Sequence, residues 1–173
     1  MEQKIFCIDF EASALGPRGY PIEVGVADVQ TGETQAWLIK PTTEWLHERI
    51  WSEASETIHG ISQNQLLNDG QDPKIIIPEV VNICSDGIVL SDNVKSDSSW
   101  FQTLCDAIEL PRMPFQIQSF QDAACEIAGR HHSDPTHKIE KAIEQAVEKF
   151  PNPHRAGPDA RRNAEVIRLL LGA

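Results

Sequence analysis

Residues 4–11 read KIFCIDFE, an apolar run that turns acidic at its far end. Its length and its Ile and Phe content mark a buried strand. Side chains of a strand alternate between faces, so Asp9 and Glu11 share one face while Phe10 takes the other. Two adjacent anions on one face repel. A divalent cation removes that repulsion, and hard oxygen ligands suit Mg²⁺ or Mn²⁺. Taken alone, the pair fits a solvated strand end better, and it gains meaning only from partners elsewhere in the chain.

Working outward, IEVGVADVQTGETQAWLIK (22–40) reads as a hairpin or meander around Thr31-Gly32, and GIVLS (87–91) as another short buried strand. Helical segments lie between and after the strands. Trp100, Leu104 and Ile108, with Phe101 and Cys105 beside them, give an apolar face to a helix over about 97–110. Two more helices are expected over about 119–130 and about 135–150. In a further, C-terminal helix Ala160, Ala164, Ile167 and Leu171 recur at helical spacing, with Pro158 suited to the first turn and Gly172 to the stop. Strands first, then mixed strand and helix, predict an α/β sheet with helices on both faces. Turn residues gather in GPRGYP (16–21), NDGQDP (68–73) and PNPHRAGP (151–158), and there is no internal repeat.

A chain of 173 residues can bury a full core, and no linker or composition shift divides it, so residues 1–173 are expected to form one domain. No apolar run approaches the roughly 18 residues of a membrane span, and the N-terminus does not resemble a secretory signal. Cys7, Cys84, Cys105 and Cys125 lie far apart with no Cys-x-x-Cys, which speaks against a zinc ribbon or a redox motif and for buried reduced thiols in a cytoplasmic protein. Lys and Arg total 15 against 26 Asp and Glu, a net charge of -11. That balance disfavours long electrostatic tracking of a phosphate backbone. A short nucleic acid held through metal ions stays compatible with it.

Two further stretches offer partners for the first pair. VLSDNVKSDSSWF (89–101) runs from an apolar strand through a polar turn into a helix, and brings Asp92 and Asp97 near that junction. There Ser96 or Asp97 could simply cap the helix. HRAGPDA (154–160) holds a histidine in a Pro/Gly-rich loop five residues ahead of Asp159. A first-turn carboxylate is mildly stabilised by the helix dipole, but the helix does not account for His154.

Taken in order, Asp-x-Glu in IDFEASAL, the aspartate of DNVKSDSSWF and His-x-x-x-x-Asp in HRAGPDA resemble the three motifs of the DEDDh (DnaQ-like) 3′-to-5′ exonucleases. YPIEVGVADV resembles that family's second strand and SETIHGIS its Ile-His-Gly-Ile-Thr segment, so the similarity spans nearly the whole chain. The resemblance implies an RNase H-like α/β fold with a mixed five-stranded sheet and helices on both faces. It implies that Asp9, Glu11, Asp97 and Asp159 hold two Mg²⁺ or Mn²⁺ ions and that His154 is the general base. Two such ions orient and acidify the attacking water and stabilise the leaving 3′ oxygen, and a histidine of ordinary pKa suits the base role. It further implies that Ala12, Ser13 and Leu15, with His59 nearby, hold the terminal nucleotide, and Asn93 matches the Asn of the middle motif. The chain departs from the family at Asp92 (usually His), Ser96 (usually Phe), Gly157-Pro158 and Ala14.

The function this implies is hydrolysis of single-stranded DNA or RNA from short 3′ ends, releasing 5′-mononucleotides. Rival readings are a non-catalytic module of the same fold that grips nucleic-acid ends or a protein partner, and a phosphodiesterase restricted to dinucleotides and very short oligonucleotides. The chain ends at Ala173, directly after the last helix, with no polymerase-docking tail in view, and a homodimer stays open. HHSDPTH (131–137) could suggest a metal site, but Asp134-Pro135 looks like a helix start, leaving the histidines as solvated loop residues. Trp45 and Trp51 could stack bases and are better read as packing. Neither a Walker A loop nor a Gly-x-Ser-x-Gly elbow is present.

Overall fold

The opening run forms the central strand of the sheet. In this computed structural model, which describes residues 3–151 and 154–172, β1 (Lys4–Ala12) pairs antiparallel with β2 (Pro21–Asp28), which pairs antiparallel with β3 (Thr34–Leu38). After α1 (Thr43–Glu48), α2 (Glu53–His59), α3 (Gln63–Asp69) and α4 (Pro73–Cys84), the chain returns as β4 (Gly87–Ser91), parallel to β1. Then come α5 (Val94–Asp106), the short β5 (Ile117–Ser119) parallel to β4, α6 (Phe120–His131), α7 (Pro135–Lys149) and α8 (Ala156–Leu171). The sheet order is β3-β2-β1-β4-β5. Asn152 and Pro153 of the expected loop, and Ala173, lie outside the described residues.

Alternation along the strands splits the interior into two layers. Phe6, Ile8 and Phe10 of β1 and Ile22, Val24 and Val26 of β2 face a core completed by α4 and α5, where Phe101 and Leu104 are fully buried. Each such aliphatic or aromatic side chain contributes about 1.5–3 kcal/mol on burial. Cys7, Ala27 and Leu90 point to the opposite face and pack under α6, α7 and α8. That second layer is lined by alanines, including Ala124, Ala128, Ala142, Ala146, Ala160 and Ala164, so its helices lie close.

At Gly25 β2 and α8 approach closely. A Cβ there would stand 2.3 Å from the backbone of Ala156. Only a residue with no side chain lets the N-terminus of α8 settle on β2.

Several element boundaries differ from the sequence expectation. The helix expected from about residue 97 begins at Val94, because β4 enters it over a two-residue turn, and Asn93 is its N-cap without a side-chain capping bond. Asp97 therefore caps nothing; it sits inside the first turn and is 3 % exposed. The Ile- and Val-rich α4 lacks the usual helical signature because Pro78 sits in its interior, where proline forfeits a hydrogen bond. The helix still starts at a well-made cap, Asp72 accepting from the Lys74 N–H, followed by Pro73. β5, at three residues, is too short to show a period.

Cys7, Cys84 and Cys105 are buried, whereas Cys125 is exposed, against the expectation for all four. Nor are the histidines of 131–137 all solvated loop residues: His131 ends α6, His137 lies within α7, and His132 Nε2 stands 2.9 Å from the Leu170 carbonyl. None of them falls in a cluster able to hold a metal among the described residues. Trp45 is buried and stacked on Tyr20, and Trp51 tilts against the same ring while its indole N–H donates to Glu56. Both are packing residues. No helix among the described residues is long and apolar enough to cross a membrane.

Candidate active site

The row that starts with Cys7 on the α8 face of β1 continues as Asp9 and Glu11, past the end of the second core. β4 runs parallel to β1 with Leu90 opposite Cys7, so the next two residues of each chain bring Asp9 and Asp92 to the same end of the sheet. Asp97, one turn into α5, and Asp159, in the first turn of α8, arrive from two different helices. Carboxylate oxygens of Asp9, Glu11 and Asp159 come within 4.8 Å of one another, and so do those of Asp9, Asp92 and Asp97. Asp9 belongs to both groups.

This crowding is electrostatically costly for a bare protein. Asp9 is held well above the ordinary carboxylate range by burial first, then by Asp97, Glu11, Asp92 and Asp159. Burial, Asp159 and Glu23 push Glu11 up to about 7, against the pull of Arg155. Burial also pushes Asp97 up to about 7, although a hydrogen bond from Ser91 opposes it. Ser91, fully buried at the end of β4, accepts the Asn93 N–H at 2.9 Å and donates to Asp97 Oδ2 at 2.5 Å, which fixes that carboxylate's orientation. Asp159 Oδ1 is buried and lies 2.8 Å from Arg162 Nη1 in an ion pair that lacks hydrogen-bond geometry. A donor set of hard, mutually repelling oxygens with such an atom among them fits divalent cations.

Asp9, Glu11, Asp92 and Asp97 form one side of a cleft of about 680 Å³. Its other side is apolar, with Ala12, Leu15, Ile50 and Ile58 among its residues. Leu15 is 91 % exposed and Ile58 59 %, unusual for side chains of this kind unless something covers them. No Lys or Arg lines the cleft among the described residues.

These shapes match known proteins in three dimensions only. No family model matches the chain, and no curated protein matches it. Among solved structures it is similar to exonuclease I, in a structure concerned with how that enzyme achieves processivity, at 13% identity and a TM-score of 0.69 over 97% of this chain. It is equally similar to the zinc-bound complex of E. coli exonuclease I with single-stranded DNA, at 13% identity and a TM-score of 0.69 over 98% of this chain. Exonuclease I of Methylocaldum szegediense gives 16% identity and a TM-score of 0.67 over 97%. The fold is RNase H-like. The chain spans about two-fifths of the length of these neighbours, 40% in each of the three.

On that fold the expected site residues take distinct places. Asp9, Glu11, Asp97 and Asp159 converge. Ala12, Leu15, His59 and Asn93 line the cleft. His59 is 5 % exposed; its Nδ1 accepts the Ile61 N–H at 3.1 Å, which leaves the proton on Nε2. That buried Nε2 makes no hydrogen bond of good geometry, although the Ala12 backbone lies close enough to strengthen its hold on the proton. Burial lowers the pKa of the ring overall. His154 joins through its main chain: its N–H donates to Asp159 Oδ2 at 2.7 Å, with φ at 68° and the residue exposed.

Ser13 lies apart from these cleft residues. It is fully buried, its Oγ donates to the Ile50 carbonyl and accepts the Tyr20 N–H, and its own N–H and C=O bond to Tyr20 and Ser52. With its N–H, C=O and hydroxyl all bonded within the chain, Ser13 is not among the residues that line the cleft. Asp92, set aside in the sequence as the family's variable position, is placed with Asp9 and Asp97. Ser91 and Glu23 were not singled out at all. A lone Glu within the apolar run IEVGV was the available signal, since such a charge is buried only when it is paired.

Proposed function

We propose that the chain is a metal-dependent 3′-to-5′ exonuclease of the DEDDh type, acting on single-stranded DNA or RNA ends and releasing 5′-mononucleotides. The observation that carries this is the convergence of Asp9, Glu11, Asp97 and Asp159, from one strand end and two helices, beside an apolar wall. Asp9, Glu11 and Asp159 would hold one Mg²⁺ or Mn²⁺, and Asp9 with Asp97 and Asp92 a second. Bound there, two such ions supply the Lewis acidity that activates water and offsets charge at the leaving oxygen.

The chain's own residues do the rest. The Leu15, Ile50 and Ile58 side chains give an unpaired terminal base an apolar surface. His59 Nε2–H, which lacks a well-made acceptor, donates to an oxygen of the terminal nucleotide. The imidazole of His154 takes one proton from water as its oxygen bonds to phosphorus, while the P–O3′ bond to the penultimate nucleotide breaks and that oxygen leaves to be protonated. Glu11 and Asp97, each near 7, must be ionised for the cations to bind.

End-labelled DNA and RNA oligomers with one terminus blocked test this directly. Mononucleotide release from a free 3′ end, dependent on Mg²⁺ or Mn²⁺ and stopped by chelator, is the expected result. Tight binding without cleavage would establish the non-catalytic module instead.

One observation favours a narrower second reading. With no Lys or Arg lining the cleft among the described residues and a net charge of -11, phosphates beyond the scissile one find no ion-pair partner in that lining. Rates that fall steeply from dinucleotides to longer oligomers would select the short-substrate phosphodiesterase.

A further inference from the structure

His154 holds a left-handed backbone conformation, φ 68°, that a residue with a side chain adopts at a cost. Such strain persists only where neighbouring bonds over-determine it. Those bonds are present on both sides. The His154 N–H is held by Asp159 Oδ2 at 2.7 Å. On the other side, Glu23 of β2 receives three hydrogen bonds from the next two residues: Arg155 Nε at 2.9 Å, Arg155 Nη2 at 2.5 Å, and the Ala156 N–H at 2.9 Å. Glu23 is 3 % exposed, so its carboxylate is committed to this task.

Its position is no accident of packing. Glu23 pairs across the sheet with Glu11, on the face that α8 covers, and Gly25 beside it clears the space for Ala156. A charged residue buried in an apolar strand, 132 positions from its partner, is thus aimed at the segment that carries His154.

We propose that Glu23 and Arg155 form a clamp that positions His154 for proton transfer. The bidentate fork fixes the backbone just after His154, and with the Asp159 contact just before it leaves the histidine one conformation. Arg155 is a positioning residue here, as its fork is spent on Glu23 rather than on substrate. This rests on the base role of His154 put forward above.

The test uses the full chain with Glu23→Gln, Arg155→Ala, Arg155→Lys and the double variant Glu23→Gln/Arg155→Ala. Two readouts are taken: steady-state hydrolysis of a short oligodeoxynucleotide with Mn²⁺, and amide hydrogen exchange at 154–156 without substrate. Misplacing a reacting group by about 1 Å costs on the order of 10²-fold. Arg155→Ala and Glu23→Gln should each lower kcat by about 10- to 100-fold on that scale at saturating Mn²⁺, with KM nearly unchanged and exchange at 154–156 accelerated. The double variant should be no worse than the worse single. Arg155→Lys should restore little, because an ammonium cannot make the fork, whereas added guanidinium should partly rescue Arg155→Ala.

Arg155→Ala that raises KM and leaves kcat intact would make Arg155 a substrate contact and overturn the clamp. So would unchanged exchange at 154–156 in both single variants. Should Arg155→Ala fail to fold because Glu23 is left unpaired, the double variant, with no buried charge, gives the same readouts. If the wild type hydrolyses nothing, the functional reading fails, and the exchange data still decide whether the clamp exists.

Discussion

Replacing Asp97 with asparagine should make the metal-free protein more stable and the site inert. Asp97 is 3 % exposed, and its pKa stands at about 7 where an ordinary aspartate has 3.8. In the folded state the carboxyl keeps its proton up to about 7, whereas the unfolded chain has released it near 4. Between those values the native state binds more protons than the unfolded one, so stability falls as pH rises through the window and levels off above it. A shift of about three units corresponds to roughly 4 kcal/mol at the top of the window, at 1.36 kcal/mol per unit. Asparagine removes the ionisation and keeps an oxygen to accept the Ser91 hydroxyl. In chelator at about pH 8 Asp97→Asn should therefore gain on the order of 4 kcal/mol over wild type, and near pH 5 far less. For a chain of this size that is roughly 8–16 °C in Tm. With Mn²⁺ added, wild type should recover stability by mass action, about 2.7 kcal/mol at a hundredfold excess over Kd, and the variant much less. Thermal unfolding by circular dichroism across pH, with and without cation, reads all of this. A variant destabilised equally at both pH values, or one that responds to Mn²⁺ like wild type, would refute the account of a charge-strained cation site.

Three further outcomes are expected. His154→Ala should keep cation and oligonucleotide binding in calorimetry while kcat drops roughly 10²- to 10⁴-fold, whereas Asp159→Ala should lose cation affinity itself. Asp92→Asn should keep most turnover at saturating Mn²⁺ but need more of the ion to reach it, since Asp92 is exposed and joins only the group of Asp9 and Asp97. Gly25→Ala should displace the start of α8, because the added Cβ meets the Ala156 backbone at 2.3 Å; hydrolysis should fall more than overall stability, and a fully active Gly25→Ala would show that α8 does not need this contact.

The sheet and the carboxylates were legible because they depend on short-range pattern. Alternation in KIFCIDFE puts Asp9 and Glu11 on one face whatever else the chain does, and the structure keeps them there. What stayed hidden depends on contacts between distant segments. Nothing local tells that Ser13, two residues past Glu11, spends every polar group on Tyr20, Ile50 and Ser52. Asp92 and Asp97 differ in sequence only by offset, and the early start of α5 at Val94 decides which of them is buried. In α4 the interior Pro78 and the β-branched run both argue locally against helix; burial of Ile76, Ile77 and Val80 overrides them.

The distribution of charge orders the events at the cleft. Four carboxylates, Asp9, Glu11, Asp92 and Asp97, line one side, Asp159 is grouped with Asp9 and Glu11, and the lining offers no Lys or Arg among the described residues. Of the nearby cations, Arg155 is bound to Glu23 and Arg162 faces Asp159. A phosphodiester approaching the bare site meets repulsion from every ionised group, and two like unit charges at 4 Å repel by about 4 kcal/mol at an effective dielectric of 20. On the proposed reading, the apolar wall of Leu15, Ile50 and Ile58 attracts it through the base, and the His59 Nε2–H adds one donor. On the proposed reading, divalent ions therefore enter first, converting the acidic side from a barrier into the phosphate's partner. Oligonucleotide binding followed by fluorescence anisotropy should be negligible in chelator and appear with Ca²⁺, an oxygen-seeking ion of the same charge. Equal binding in both conditions would mean that the substrate is held by cations elsewhere on the surface, and that the carboxylate cleft is not where its end resides.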